Sequence, residues 1–193
     1  QFCHSSDKSR EVFLFKAENL SKRIGQLAVN FYDDPSQDMQ VIGVTGTNGK
    51  TSVTNYIAQS LSDAKICGVI GTLGNGIYGD LSQSTHTTPD AISIQRLLSG
   101  MKKQHAKSIA IEVSSHALEQ NRVADVKFDT AVFMNLTRDH LDYHGTMENY
   151  ANAKKKLFLM PSVKTAIVNL DDQLANDISK SIDHEKVKLI GFS

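Results

Sequence analysis

Residues 41–61 read VIGVTGTNGKTSVTNYIAQSL, and this stretch decides the fold. An apolar, β-type run leads into a glycine-containing loop, then into Lys50 and Thr51, and then into a segment with a helical apolar stripe. In such a unit the N–H groups of the loop and first helical turn point at phosphate oxygens, and the helix dipole favours negative charge there. The order therefore predicts a site for a nucleoside triphosphate, with Lys50 at the β- and γ-phosphates and Thr51 on Mg²⁺.

The loop departs from the strict phosphate-loop pattern at one position. The pattern G-x-x-x-x-G-K-[ST] requires Gly at position 44, where this chain has Val44, with Gly43 and Gly46 nearby. A plain strand–turn–helix whose lysine faces solvent is the alternative interpretation. The pattern also requires a strand before it and a helix after it, and both are predicted here, so nucleotide binding is favoured.

Composition limits the remaining choices. The chain has 193 residues, with 21 Lys and Arg against 21 Asp and Glu, so no net charge favours nucleic acid or an anionic membrane. Cys3 and Cys67 form no CxxC motif, which suits a reducing cytosol. No run of 18 apolar residues predicts a membrane span. The first residues, QFCHSSDKSR, lack an initial Met and do not resemble a signal peptide, which suggests a trimmed or internal segment.

Short apolar runs alternate with helical patterns along the chain. The predicted strands are residues 41–44, 66–70, 108–113, 130–134, 165–169 and 187–190. The predicted helices are residues 11–31, 52–61, 90–103, 147–159 and 171–182, the last with Asp171 as a candidate cap. Nearly continuous apolar strands are typical of a sheet covered on both faces. The alternation predicts an α/β fold with a doubly wound, mostly parallel sheet. Residues 1–39 lie outside it and end in a turn at 33–36, read as a linker.

Glu112 ends one of the predicted strands, in the run IAIEVSSHA. Open α/β sheets bind ligands at the carboxyl ends of their strands, so Glu112 is placed to bind Mg²⁺ or to orient a water molecule. A capping or surface glutamate is the alternative. The hydroxyl-rich run THTTP at 85–89 suits a polar ligand, but by itself it is also a turn before a helix.

Two histidines follow another predicted strand, in the run NLTRDHLDYHG at 135–145. His140 and His144 are separated by four residues and could form a metal-binding pair, although the HExxH pattern of zinc sites is absent. A polar loop with a satisfied histidine is an equal alternative. Lys154 opens the run Lys154-Lys155-Lys156 and reads locally as a solvated lysine.

Together these segments resemble the Mur ligases in order and spacing. The motifs that carry the resemblance are TGTNGKT at 45–51, TTP at 87–89, EVSSHAL at 112–118, QNRV at 120–123 and NLTRDHLDYHGTMENYANAK at 135–154. The phosphate loop of that family is TGTNGK[ST], so Val44 fits it. Within the family, the set most resembles ligases that add the third residue of the peptidoglycan stem peptide. The resemblance implies three domains in the whole protein, with residues 1–39 from the end of the first and 40–193 from an incomplete central ATPase domain.

The resemblance also implies roles for individual residues. The residues implied at the ATP phosphates are Gly46, Thr47, Asn48, Gly49, Lys50, Thr51 and Ser52. Thr51 and Glu112 would serve a first Mg²⁺, and His140 would serve a second. Lys154 matches a lysine that the family carbamylates with CO₂, which would make it an anionic ligand. The residues implied at the UDP-muramoyl-dipeptide are His86, Thr87, Thr88, Ser114, Gln120 and Arg122, with His86 standing where the family usually has Asn.

The implied reaction is an ATP-dependent ligation in the cytoplasm, performed by a monomer during peptidoglycan synthesis. The substrate carboxylate would attack the γ-phosphate of ATP to give an acyl phosphate, and the amine of the incoming amino acid would then displace phosphate. Positioning and charge stabilisation by Lys50, Glu112, His140 and Lys154 would carry catalysis. The substrates would be UDP-N-acetylmuramoyl-L-alanyl-D-glutamate and an amino acid, meso-diaminopimelate in preference to L-lysine, with no nucleic acid or membrane partner.

Two alternatives belong to other classes. A related ligase such as a folylpolyglutamate synthetase would share the phosphate loop but should lack TTP, QNRV and DHLDYHG together. A non-catalytic nucleotide-binding fragment is the second alternative, because no domain for the amino acid is evident before Ser193. We therefore expect the 193-residue chain to be inactive alone.

Overall fold

The structure is a computed structural model, and it describes residues 19–193. The strands are β1 Gln40–Thr45, β2 Cys67–Gly71, β3 Gly74–Ile77, β4 Asp80–Ser82, β5 Ser108–Glu112, β6 Thr130–Phe133, β7 Thr165–Asn169 and β8 Lys188–Phe192. The α-helices are α1 Leu20–Phe31, α2 Lys50–Ser62, α3 Ala91–Lys103, α4 Ser115–Glu119, α5 Leu141–His144, α6 Met147–Lys155 and α7 Leu174–Ser181. Short 3₁₀ helices span Pro35–Asp38 and Lys156–Leu159.

One eight-stranded sheet organises these elements, in the order β4-β3-β2-β5-β1-β6-β7-β8. The strands from β2 to β8 in this order are parallel, and β3 and β4 add an antiparallel edge. β1 lies between β5 and β6, so Ile42 pairs with Ala110 on one side and with Thr130 on the other. The predicted mostly parallel α/β sheet is confirmed.

Successive side chains of β1 point to opposite faces of the sheet, and both faces are covered by helices. Val41 faces a large core that also contains Leu98 of α3 and Ile178 of α7. Ile42 and Val44 face the opposite side, where Val53 and Ile57 of α2 pack on them. A strand that buries side chains on both faces needs the continuous apolar run that the sequence contains. Helices therefore flank both faces of the sheet, as predicted.

The antiparallel hairpin of β3 and β4 is absent from the sequence-based prediction. β3 has only four residues, GNGI, and both of its glycines have positive φ, 151° for Gly74 and 150° for Gly76. A Cβ at Gly76 would lie 2.5 Å from the Asp80 carbonyl oxygen, so the close backbone approach requires glycine. Glycine-rich segments with few apolar residues lack the apolar pattern that predicts a strand. The sequence therefore did not predict this hairpin.

Some helix ends differ from prediction, and the predicted start of the first helix lies outside the described residues. Of the predicted helix 11–31, residues 11–18 lie outside the described residues, and the helix is described from Leu20. The predicted helix 147–159 is α-helical only to Lys155 and continues as a 3₁₀ turn. Asp171 does not cap α7. The Asp172 carboxylate instead accepts hydrogen bonds from Leu174 N at 2.9 Å and from Leu136 N at 2.6 Å.

The segment before β1 packs on the sheet domain. Ala28 and Val29 of α1 are buried, and α1 lies against α3. The predicted turn at 33–36 becomes a 3₁₀ helix whose buried Ser36 accepts a hydrogen bond from Lys127 N at 3.2 Å. Among the helices of residues 19–193, none combines the length and apolar character needed to cross a membrane.

Candidate active site

Four parallel strands deliver the candidate site residues to one edge of the sheet. β1 runs into the loop at 46–49, β5 ends at Glu112, β6 leads to Asn135, and β2 leads to Thr72. These strands are neighbours in the sheet, and the carboxyl ends of parallel strands meet at one edge. Segments that are far apart in sequence therefore surround one cleft.

The loop after β1 turns into α2 at Gly49, which has a φ of 83° and forms the helix N-cap. This left-handed conformation strains other residues, so glycine is required. Lys50 follows in the first helical turn, and its Nζ donates to the carbonyl oxygens of Gly46 and Thr47, both at 2.9 Å. The lysine thus lies over the loop. Ser52, also implied at the phosphates, is exposed in the same turn.

Asn135 fixes the shape of this loop from β6. Its Oδ1 accepts hydrogen bonds from Thr47 N at 3.1 Å and Asn48 N at 2.9 Å, and its Nδ2 donates to the Asn48 carbonyl oxygen at 3.2 Å. Asn135 begins the run NLTRDHLDYHG, but the sequence alone predicts no role for it. Its contacts join residues 88 positions apart, so no local pattern could have assigned it.

Glu112 is buried at the base of the cleft, with 1% of its surface exposed. Its Oε2 accepts a hydrogen bond from Thr51 Oγ1 at 2.8 Å, and its Oε1 accepts one from Thr72 N at 2.7 Å. The alternative of a surface glutamate is therefore wrong. Buried carboxylates need such donors or a cation.

The Thr51 and Glu112 oxygens fit a magnesium ion. Ligands at 2.0–2.1 Å in octahedral geometry place neighbouring oxygens about 3 Å apart, and these two oxygens are 2.8 Å apart. Within residues 19–193, no group of three or more His, Cys, Asp or Glu side chains could hold a metal ion.

A second wall of the cleft comes from the TTP motif and the start of α4. Thr88 Oγ1 donates to the Glu112 carbonyl oxygen at 2.7 Å and accepts from Ser114 N at 3.1 Å. Arg122 donates through Nη1 to the Thr88 carbonyl oxygen at 2.9 Å and through Nε to Gln120 Oε1 at 2.9 Å. These bonds hold the guanidinium group beside the TTP loop, which is more than a turn before a helix.

The resulting cleft has a volume of about 340 Å³. It is lined by Lys50, His86, Thr87, Thr88, Ser114, His116, Arg122 and His140. The cleft thus brings together Lys50 and His140 with most of the residues predicted to bind the muramoyl substrate. Gln120 lies beside it, with its Nε2 donating to the Tyr143 hydroxyl at 3.2 Å. His116, which sequence reasoning did not assign, lies 4.9 Å from His140 between ring centres.

The two histidines considered as a metal pair lie in different surroundings. His140 lines the cleft, whereas His144 is buried, with its Nε2 2.9 Å from Ser115 Oγ and its ring stacked 4.9 Å from Tyr150. Burial, followed by the neighbouring His116, lowers the pKa of His144. His144 therefore matches the satisfied histidine of the alternative interpretation, and of the predicted pair only His140 lines the cleft.

Lys154 is buried, with 1% of its surface exposed, so the local interpretation of a solvated lysine is wrong. Its Nζ lies 4.4 Å from the centre of the Tyr150 ring. Burial, followed by repulsion from Lys50, lowers its pKa from 10.5 to about 7. Burial also lowers the pKa of Lys50, although Glu112 and Asp139 oppose that shift. Lys154 and Lys50 are therefore two poorly solvated amines, close enough for the charge of Lys50 to affect the pKa of Lys154.

Comparison with known proteins identifies the family. A family model described as the Mur ligase middle domain matches residues 44–193. The UDP-N-acetylmuramoyl-L-alanyl-D-glutamate–2,6-diaminopimelate ligase of Coxiella burnetii is 55% identical over 184 residues, which are 95% of this chain and 37% of that protein. The chain thus spans about 37% of the length of this curated relative.

Solved structures agree with this match. A structure of a UDP-N-acetylmuramoyl-L-alanyl-D-glutamate–2,6-diaminopimelate ligase superposes with a TM-score of 0.81 at 39% identity, covering 92% of this chain and 37% of that one. A folylpolyglutamate synthase of Mycobacterium tuberculosis superposes with a TM-score of 0.72 at 14% identity, covering 92% of this chain and 47% of that one, and shows the shared fold alone. The chain therefore belongs to the Mur ligase family, and residues 44–193 correspond to its middle domain.

Proposed function

We propose that the full-length protein ligates meso-diaminopimelate to UDP-N-acetylmuramoyl-L-alanyl-D-glutamate in an ATP- and Mg²⁺-dependent reaction of peptidoglycan synthesis. The observation that carries this proposal is the 55% identity, over 95% of the chain, to a ligase named for these substrates. In this proposal residues 40–193 belong to the central ATP-binding domain, and residues 1–39 belong to the N-terminal domain and its linker. The protein works as a monomer in the cytoplasm, and its product supports cell shape and division.

The phosphate loop and Lys50 hold the nucleotide. Loop N–H groups and the α2 dipole attract the phosphates, and the Lys50 ammonium neutralises their charge. Thr51 and Glu112 hold the first Mg²⁺, and His140 contributes to a second. When bound, MgATP supplies the γ-phosphoryl group that activates the substrate carboxylate. The contribution of these residues is to keep two anionic reactants close together and to offset their repulsion.

The opposite wall holds the muramoyl substrate. Thr87, Thr88 and Ser114 line this wall, and Arg122 presents a planar cation suited to carboxylate or phosphate. His86 and Gln120 extend this wall at either side. The wall and the phosphate loop share one cleft of about 340 Å³, which supports direct transfer between nucleotide and substrate.

Lys154 supplies an anion once it is carbamylated. The neutral amine adds to CO₂ through a new N–C bond and releases one proton to solvent, and the lowered pKa of Lys154 makes the neutral form available at neutral pH. The product is an oxygen ligand of the kind that Mg²⁺ prefers. The neighbouring Lys50 then attracts this group, because the carbamate reverses the sign of the charge.

The test is ligation by the purified full-length protein. ADP release is measured with UDP-N-acetylmuramoyl-L-alanyl-D-glutamate and either meso-diaminopimelate or L-lysine, and mass spectrometry identifies the product. We expect the tripeptide product with meso-diaminopimelate. A folate substrate with glutamate forms a separate arm, and turnover there alone would replace the proposal with folylpolyglutamate synthesis. The isolated 193-residue chain is assayed in parallel and is expected to show no turnover.

A further inference from the structure

The proposed function assigns no role to Thr72, although this residue contacts both Glu112 and Thr87. It is the first residue after β2, and it contacts the Glu112 carboxylate twice. Thr72 N donates to Glu112 Oε1 at 2.7 Å, and Thr72 Oγ1 donates to Glu112 Oε2 at 3.2 Å. The same hydroxyl oxygen lies 3.0 Å from Thr87 Oγ1 in the TTP motif. One side chain therefore connects the magnesium carboxylate to the substrate wall.

The direction of these hydrogen bonds follows from counting protons. A carboxylate only accepts hydrogen bonds, whereas a threonine hydroxyl has one proton and also accepts. Thr72 therefore gives its proton to Glu112 and accepts the proton of Thr87. The Thr87 hydroxyl is then committed as a donor and presents only lone pairs to the cleft. A substrate group that meets it must be an N–H or O–H donor.

The backbone before Thr72 is shaped for this contact. Gly71 ends β2, and a Cβ added there would lie 2.3 Å from Glu112 Oε1. Any other residue would push the carboxylate away from Thr72 N. Glycine at this point is what allows strand β2 to bring the N–H group of Thr72 within 2.7 Å of the carboxylate.

We propose that Thr72 is a positioning residue that orients Glu112 for its magnesium ion and fixes the Thr87 hydroxyl as an acceptor toward the substrate. This inference rests on the proposed function, because it assumes that Glu112 binds the metal of the nucleotide. In this inference Thr72 acts on the metal ion through Glu112 and is not itself a ligand. Its effect should therefore appear in the magnesium-dependent part of nucleotide binding.

The experiment is calorimetric titration of ADP into the full-length wild type and its Thr72→Val, Thr72→Ala and Thr72→Ser variants, each with excess Mg²⁺ and with EDTA. Thr72→Val removes the hydroxyl at nearly constant volume, and Thr72→Ser retains it as the matched control. We expect Thr72→Val and Thr72→Ala to weaken ADP binding about tenfold with Mg²⁺, the size expected for losing a hydrogen bond to a charged group. Affinity in EDTA should not change, and Thr72→Ser should bind as the wild type does.

Equal weakening with Mg²⁺ and with EDTA would overturn the inference, because Thr72 would then only shape the loop. Unchanged affinity in both conditions would overturn it as well. Thermal unfolding of each variant identifies any that is not folded, and Thr72→Ala then substitutes for Thr72→Val. A wild type that binds no ADP would instead refute the proposed nucleotide site, so the two failures are distinguishable.

A separate measurement tests whether Thr72 acts on the substrate through its hydrogen bond with Thr87. Thr72→Val, Thr87→Val and the double variant are compared for the KM of the muramoyl substrate. If the two hydroxyls act as one hydrogen-bonded chain, the effects on KM should be non-additive, with the double variant no worse than the poorer single variant. Multiplicative effects would show that Thr72 does not act through Thr87.

Discussion

Carbamylation of Lys154 gives a quantitative test of its buried environment. With a pKa of about 7, against the ordinary 10.5, half of this amine is neutral at pH 7. An ordinary lysine would be only about 0.03% neutral at that pH, so the reactive form is enriched by about three orders of magnitude. At fixed bicarbonate the ratio of CO₂ to protons is constant, so the amount of carbamate follows the neutral fraction of the amine.

The assay is ¹³C NMR of the full-length protein in ¹³C-bicarbonate across a pH series. We expect one protein carbamate signal that grows as pH rises toward neutrality, has its midpoint near the pKa of about 7, and levels off above it. Lys154→Met should abolish the signal, whereas Lys156→Met, a change at an exposed lysine of the same segment, should leave it unchanged. A midpoint near that of free lysine, or a signal that survives Lys154→Met, would refute the reasoning from burial.

Three further predictions concern binding. Lys50→Ala should weaken MgATP binding by about 1.5–3 kcal/mol by calorimetry, since a charge-assisted contact is lost, while the exposed Lys103→Ala should not change it. Arg122→Lys should raise the KM for the muramoyl substrate more than the KM for ATP, because a point charge replaces a planar fork, and an unchanged KM would remove Arg122 from the site. Asn135→Ala should weaken nucleotide binding by about 1–2 kcal/mol by leaving Asn48 N without its acceptor, and wild-type affinity would contradict the proposed clamp.

The fold was predictable where burial leaves a periodic pattern. Residues 165–169, for example, read TAIVN and form β7 with the predicted bounds, because both faces of that strand carry apolar side chains. The hairpin of β3 and β4 lacks such a pattern, since its geometry depends on glycine. α5 was also missed, because its four residues, LDYH, are too few to show a helical period.

The site residues differ in the same way: some were predictable from neighbouring sequence, and others depend on partners far away in the chain. Lys50 and Thr51 were predictable because the loop and helix that orient them are contiguous in sequence. Asn135 and Thr72 act through partners that only the sheet brings together, so their residue types alone carried no signal. Lys154 of α6 is buried, and the adjacent lysines concealed this in the sequence.

The strand order has a consequence for how the protein is made. β1 emerges early in synthesis, yet its two partners, β5 and β6, are translated much later. The phosphate loop reaches its final shape only when Asn135 arrives, 88 residues after Thr47. Closing such long loops slows folding, so the nascent chain carries an apolar β1 with both edges unpaired until β5 has been made and with one edge unpaired until β6 follows. Nucleotide cannot stabilise these early intermediates, and chaperone contacts should therefore concentrate on β1 until β6 has been made.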